Sequence, residues 1–178
     1  LKIVTVLPTY PENPDVARCL RYVELAEGET LKYEPDWVLE HHVLLGNRVG
    51  DGVQYSHERM LEIARMREAA LRYGAEHGEW TLLLDTDVMV PPELYRVMFH
   101  MRPDLECKSA QTWNAETGVF RFVDDRYEAQ WSVDNSKGRY VERASEVIAL
   151  RRSLIDRLPV PYYSATVMNE DYELCDVV

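Results

Sequence analysis

Asp85 and Asp87, two carboxylates two positions apart in Leu82-Leu83-Leu84-Asp85-Thr86-Asp87, are the most pointed chemical feature of this chain. At the end of a strand, residues i and i+2 project to the same side and offer two oxygens to one hard cation such as Mg²⁺ or Mn²⁺. A cation held in this way can bring a diphosphate into an otherwise acidic pocket. Twelve aspartates in 178 residues yield about one such triplet by chance, so the string alone decides nothing. Its setting carries the weight: the apolar run Trp80 to Leu84 leads straight into it, and Val88-Met89-Val90-Pro91-Pro92 follows. The competing reading is a pair of solvated carboxylates that cap the next helix.

Arg67 is the second feature. At about 100° per residue it falls in the middle of the stripe formed by Met60, Ile63, Ala64, Ala70 and Leu71, whereas Arg65 and Arg72 lie toward the polar side. A charge on a core-facing stripe needs a partner. That partner is either a structural carboxylate, with Asp85 and Asp87 the candidates, or a bound phosphate. Further on, Glu170 and Asp171 stand together in Glu170-Asp171-Tyr172-Glu173-Leu174-Cys175; adjacent acids before a helical segment ordinarily act as N-terminal caps. His41, His42, His57, His77 and His100 show no ligand spacing, and surface or capping roles are expected for them. Cys19, Cys107 and Cys175 form no C-x-x-C pair and are odd in number, so neither a zinc knuckle nor a disulfide framework is indicated. A reducing compartment, the cytoplasm, is expected.

The elements that must position these groups alternate. Lys2 to Leu7 reads as a buried strand that enters the loop Pro8-Thr9-Tyr10-Pro11. Asn13-Pro14-Asp15 caps a helix whose apolar positions Val16, Ala17, Leu20, Val23 and Leu25 run to Ala26, with Gly28 as its stop. Trp37 to Leu45 is a second strand closing at Gly46-Asn47, followed by a glycine-containing loop from Arg48 to Gly52. Ser56 to Tyr73 is the clearest helix, ended by Gly74 or Gly78, and Trp80 to Leu84 is the third strand. Pro91-Pro92-Glu93 opens another helix to about Met101. This order predicts a single α/β domain built on a mostly parallel sheet flanked by helices. Ligands of such sheets bind beyond the carboxyl ends of the strands. Here those ends are Pro8 to Glu12, Gly46 to Asp51, and Asp85 to Asp87. Between Cys107 and Val141 the segments are short and strand-like, with turns at Gly118 and Asn135 to Gly138; Ser145 to Leu158 reads as a strand running into a helix.

Composition bounds the partners. With 46% apolar and 29% charged residues, the chain has the make-up of a soluble globular domain able to build a core without staples. Its net charge of −11 repels the phosphate backbone on which nucleic-acid affinity depends, so DNA and RNA are not expected partners. No membrane span is expected either, since the uncharged stretch Leu158 to Asn169 is too short and too proline-broken. The chain opens on Leu1 without an initiator Met and stops after Val178, and further segments are expected at one or both ends.

Taken in order, Val6-Leu7-Pro8-Thr9-Tyr10, the polar strand end at Gly46-Asn47, Ala64-Arg65-Met66-Arg67, Glu79-Trp80 to Asp85-Thr86-Asp87, and Leu150-Arg151-Arg152 to Cys175 resemble the GT-A-fold nucleotide-sugar glycosyltransferases, family 2 type. The resemblance spans Lys2 to about Cys175 and implies the Rossmann-like GT-A sheet. It implies a nucleotide-sugar half at about residues 1–101 and an acceptor half at about residues 102–178. By it, Pro8, Thr9, Tyr10 and Glu12 approach the nucleotide, with Tyr10 stacking on the base. Asn47 stands where the family has an acidic base contact, and Asp51 is the alternative for that contact. Arg67 or Arg65 matches the arginine of the family's Ala-Arg-Asn helix, although Glu68 replaces the asparagine. Asp85 and Asp87 match the D-x-D motif, with Mn²⁺ or Mg²⁺ held mainly through Asp87 and the ribose or donor sugar through Asp85. Asp171 matches the general base of inverting members, with Glu170 as second choice. Trp113 and Trp131 lie where acceptor sites are built, although packing is the more common role of such residues. The implied partners are a UDP- or GDP-sugar and a glycan, protein or lipid acceptor. Alternatives are a retaining transferase, a haloacid-dehalogenase-type phosphatase with Asp85 as nucleophile, and a non-catalytic nucleotide-sugar or glycan-binding module. A nucleotidyltransferase is disfavoured because Pro8-Thr9-Tyr10-Pro11 contains no glycine.

Overall fold

The computed structural model describes residues 1–48, 57–100, 103–109, 112–114, 119–121 and 147–158. In chain order its elements are β1 (Lys2–Thr9), α1 (Val16–Leu31), β2 (Val38–Leu45), α2 (His57–His77), β3 (Trp80–Leu84), α3 (Leu94–His100), β4 (Cys107–Ser109), β5 (Thr112–Asn114), β6 (Val119–Arg121), β7 (Val147–Arg151) and α4 (Arg152–Ile155).

Ile3 to Leu7 of β1 are all buried, as a strand covered on both faces must be. It pairs in parallel with β2 on one side and β3 on the other. Strand β7 pairs antiparallel with β3, and β4 antiparallel with β7, giving the sheet order β2-β1-β3-β7-β4. The sheet is therefore mixed: four strands run one way and β7 runs against them. It draws strands from both sides of residue 101, while β5 and β6 form a separate antiparallel pair. Alternation along the strands divides the core in two. Ile3, Leu7, Trp80, Leu82 and Leu84 pack under α1 and α3. Val4, Val6, Leu83, Ile148 and Leu150 pack under α2 and α4. Within the first layer the polar atoms Thr5 Oγ1 and Tyr95 OH are matched at 2.7 Å.

Several boundaries differ from the sequence expectation. Pro8 and Thr9 belong to β1, because pairing with β3 ends at Val6 and the missing Pro8 N–H removes no bond from that side. Helix α1 passes Gly28 and runs to Leu31; a side chain at Gly28 would meet nothing within 4 Å, so the glycine faces open space rather than a C-terminal turn. Its buried stripe is Cys19, Val23, Ala26 and Thr30, which leaves Leu25 62% exposed. Helix α2 passes Gly74 and ends at His77, so that Gly78, the second of its two expected stops, follows it; Gly74 is instead where α2 touches the sheet, since a Cβ there would lie 2.3 Å from the Thr81 side chain. The prolines Pro91 and Pro92 precede α3 rather than lie in it, and Leu94 N–H donates to Pro91 O at 3.0 Å. Among the described residues no helix is long and apolar enough to cross a membrane.

From β1 the chain crosses through α1 to β2 on one side, then returns through α2 to β3 on the other. Strand order thus reverses at β1. The crevice between the carboxyl ends of β1 and β3 is the switch point at which open sheets of this class hold ligands.

Candidate functional site

Strand β3 delivers Asp85 to that crevice and stops at Leu84. Val88 N–H donates to Asp85 O at 3.2 Å, closing Asp85 to Val88 as a turn. The strand alternation expected to align the two carboxylates therefore does not extend to them; the turn sorts the side chains instead. Thr86 is buried, Asp85 is half-buried and Asp87 is exposed. Arg67 reaches Asp85 from α2, with Nη2 3.0 Å from both Oδ1 and Oδ2. Its side chain is only 8% exposed, so the charge on the core-facing stripe has found a carboxylate at the end of β3. Removing one member of such a pair strands the other's charge, at a typical cost of about 3–5 kcal/mol when both are buried. Arg65 lies 69% exposed, 4.0 Å from Glu62, and is not part of this contact.

The loop after β1 is held just as closely. Tyr10-Pro11-Glu12-Asn13 forms a turn in which Asn13 N–H points to Tyr10 O at 3.4 Å. Pro11 in its second position and Glu12 at φ 66° give it type II character. Glycine is the usual residue there, and a side chain in that region costs roughly 1–2 kcal/mol. The amide of Asn13 makes three bonds. Its Nδ2 donates to Thr9 Oγ1 and to Thr86 Oγ1, each at 2.9 Å, and its Oδ1 accepts from Asp15 N–H at 3.0 Å. Of the expected cap Asn13-Pro14-Asp15, Asp15 makes no side-chain capping bond, and it is Asn13 that accepts a backbone N–H at the start of α1. Gly46 N–H donates to Thr9 O at 2.7 Å, which joins the end of β2 to the same cluster. The Arg48 guanidinium lies over the ring of Tyr10, 5.5 Å from its centroid. Tyr10 thus already has a flat cation on one face.

Two contributors escaped the sequence reading. Glu62 of α2 accepts both Asn47 N–H and Asn47 Nδ2 on Oε1, at 2.9 and 3.0 Å, and so brings a carboxylate to the end of β2. At 14% side-chain exposure it is the less solvated member of its pair with Arg65. Cys19 lies beneath the turn, its Sγ 3.8 Å from Asp85 O. Burial, then the charges of Asp87 and Asp85, push its thiol up to about 12. No local pattern announces either one, since each contact joins distant segments.

The structure therefore gathers Thr9, Asn47, Arg67, Asp85 and Asp87 at neighbouring strand ends. Pro8 is a half-buried member of β1, and Glu12 is exposed. Trp113 stands in β5, opposite Phe120 of β6. Asp51, Trp131, Glu170 and Asp171 lie outside the described residues. Among those described, no group of three or more His, Cys, Asp or Glu side chains is placed to hold a metal ion. Two hard oxygen donors at an open turn nonetheless fit Mg²⁺ or Mn²⁺, which keep several positions for water and phosphate.

No protein-family profile matches the chain, and neither does any curated protein. Among solved structures it is similar to a mutant of Drosophila β1,4-galactosyltransferase 7 in complex with manganese, UDP-Gal and xylobiose, at 11% identity and a TM-score of 0.49 over 98% of this chain. It spans 60% of that protein's length. It is also similar to a glycosyltransferase involved in the glycosylation of the major capsid of PBCV-1, at 15% identity and a TM-score of 0.38, over 96% of this chain and 72% of the other.

Proposed function

We propose that the chain is a metal-dependent glycosyltransferase that moves a sugar from a nucleotide-diphosphate sugar, UDP- or GDP-linked, to an acceptor hydroxyl. One observation carries this reading: at the switch point of the sheet, Asp85 is bound by the buried Arg67 while Asp87, on the same turn, faces solvent. A bound Mg²⁺ or Mn²⁺ would supply Lewis-acid charge for a departing diphosphate. Asp87 is the ligand with oxygens to spare, and Asp85 is the group that Arg67 fixes for contact with the ribose or donor sugar. Tyr10 offers its second ring face to the base. The paired acceptor Asn47 and Glu62 stand at the end of β2, where the resemblance calls for an acidic base contact.

Asp171 takes the proton of the acceptor hydroxyl, with Glu170 the second choice. The acceptor oxygen bonds to the anomeric carbon as the bond to the diphosphate oxygen breaks, and the diphosphate leaves with the electron pair, inverting the centre. The phosphatase alternative is disfavoured because Asp85, its would-be nucleophile, has both oxygens turned to Arg67.

Calorimetric titration with UDP-, GDP- and dTDP-sugars, with and without Mn²⁺, tests the reading. At least one sugar nucleotide is expected to bind more tightly with the metal. Asp87→Asn is expected to remove that metal-dependent gain and to lower turnover by about 10²-fold or more, while the melting midpoint stays within about 2 °C of the parent. If no sugar nucleotide binds under any metal condition, the reading falls; retention of anomeric configuration in the product would replace Asp171 with a retaining chemistry.

A further inference from the structure

We propose that Asn13 is a positioning residue that sets the orientation of the Asp85-Thr86-Asp87 turn, and through it the cation-binding face that the proposed activity requires. This inference rests on the reading above, but it stands on its own contacts. Of the three turn residues only Thr86 is buried; it is 7% exposed, and its hydroxyl oxygen receives Asn13 Nδ2 at 2.9 Å. The other Nδ2 proton goes to Thr9 Oγ1, also at 2.9 Å, on a residue that is 3% exposed at the end of β1. The amide cannot turn over, because Asp15 N–H requires an acceptor and finds Oδ1 at 3.0 Å. One planar group therefore ties the end of β1 to the middle residue of the turn after β3. With Thr86 fixed, Asp85 is held half-buried against Arg67 and Asp87 is left facing solvent.

The residue type matters. Aspartate in this position would keep the acceptor for Asp15 N–H but donate to neither threonine, and would add a third carboxylate beside Asp85 and Asp87. Alanine would lose all three bonds. Groups that orient a metal-binding side chain without touching the metal typically change affinity by about 10–100-fold when removed.

Mn²⁺ affinity of the folded protein, measured by electron paramagnetic resonance well below the melting temperature and without nucleotide, separates positioning from stability. Asn13→Ala and Thr86→Val are expected to weaken Mn²⁺ binding about tenfold or more. Gly74→Ala, which crowds Thr81 without touching Asn13 or the turn, is expected to lower the melting temperature yet leave Mn²⁺ affinity within about threefold of the parent. If the Asn13 and Thr86 variants melt earlier but bind Mn²⁺ like the parent, Asn13 is only structural and the proposal is overturned. Hydrogen exchange at the amides of residues 86–88 gives a metal-free readout: Asn13→Ala should speed it about tenfold relative to β3, and unchanged protection overturns the proposal. A parent that takes up no Mn²⁺ would sink the functional reading while leaving the exchange result to decide on Asn13.

Discussion

At the amino end of β3, Lys108 Nζ and the Arg151 guanidinium lie over the ring of Trp80, 5.0 and 5.1 Å from its centroid; at the carboxyl end of the same strand, Arg67 faces the carboxylate of Asp85. The first arrangement sets cations against ring faces, with the charge of Asp104 acting on Lys108 as well. Lys108 sits also near the Phe99 ring, at 5.6 Å, and 3.4 Å from Phe99 O, and Phe99 packs edge-on to Trp80 and Trp37. Burial, then the nearby Arg151, holds its amine below the usual lysine range. Ring faces and carbonyls carry only partial charges, so they offer little for a metal ion or a phosphate to compete for. A carboxylate carries a formal charge that a metal ion or a phosphate can compete for. One sheet thus has an inert end, closed by aromatic packing, and a responsive end, left with carboxylates that face water.

Asp85→Asn should break the responsive end most strongly. It leaves the Arg67 guanidinium buried without its counter-charge, and a loss of about 2–3 kcal/mol is expected, at the low end for buried pairs because Asp85 is 31% exposed. Urea denaturation measures it, and the double variant with Arg67→Met should recover part of the loss. At the inert end Gly74→Ala should cost about 1–3 kcal/mol, since the new methyl enters space that Thr81 fills; an unchanged urea midpoint would mean that helix α2 is not seated there as tightly as described. The smallest effect belongs to Lys108→Met, expected within about 1 kcal/mol of the parent at neutral pH. Its signature is in pH. Because the folded state holds this proton less tightly than the unfolded chain does, the parent should gain stability as pH climbs from the lowered value toward 10.5, and the variant should lose that slope. Thermal melts across this window would refute the contrast if both proteins showed the same rise.

Legibility followed the range of the interactions. Trp80 to Leu84 was readable to the residue because five consecutive apolar side chains, all buried, are a local pattern. Arg67 was readable for the same reason: helical periodicity alone put it on the core stripe and so demanded a partner. Gly28 misled, and of the two stops expected for α2 it is Gly78 and not Gly74 that follows its last residue, because a glycine inside a helix looks like a stop unless the opposing surface is known. Gly28 faces open space and Gly74 faces Thr81, a residue of a different element. Asn13 was read only as part of a helix cap, since its bond to Thr86 spans 73 positions. Glu62 at Asn47 needed the path of the chain between β2 and α2 to be known.

Cys19 gives the turn a clock. The residue is 1% exposed, with its sulfur beneath the Asp85 carbonyl, and with a thiol pushed up to about 12 almost none of it is thiolate at neutral pH. Alkylation must wait for the turn to lift, so the rate at which a small reagent labels Cys19 counts how often the carboxylates come away from their seat. A ligand that settles on Asp85 and Asp87 slows that count without any need to see the ligand itself.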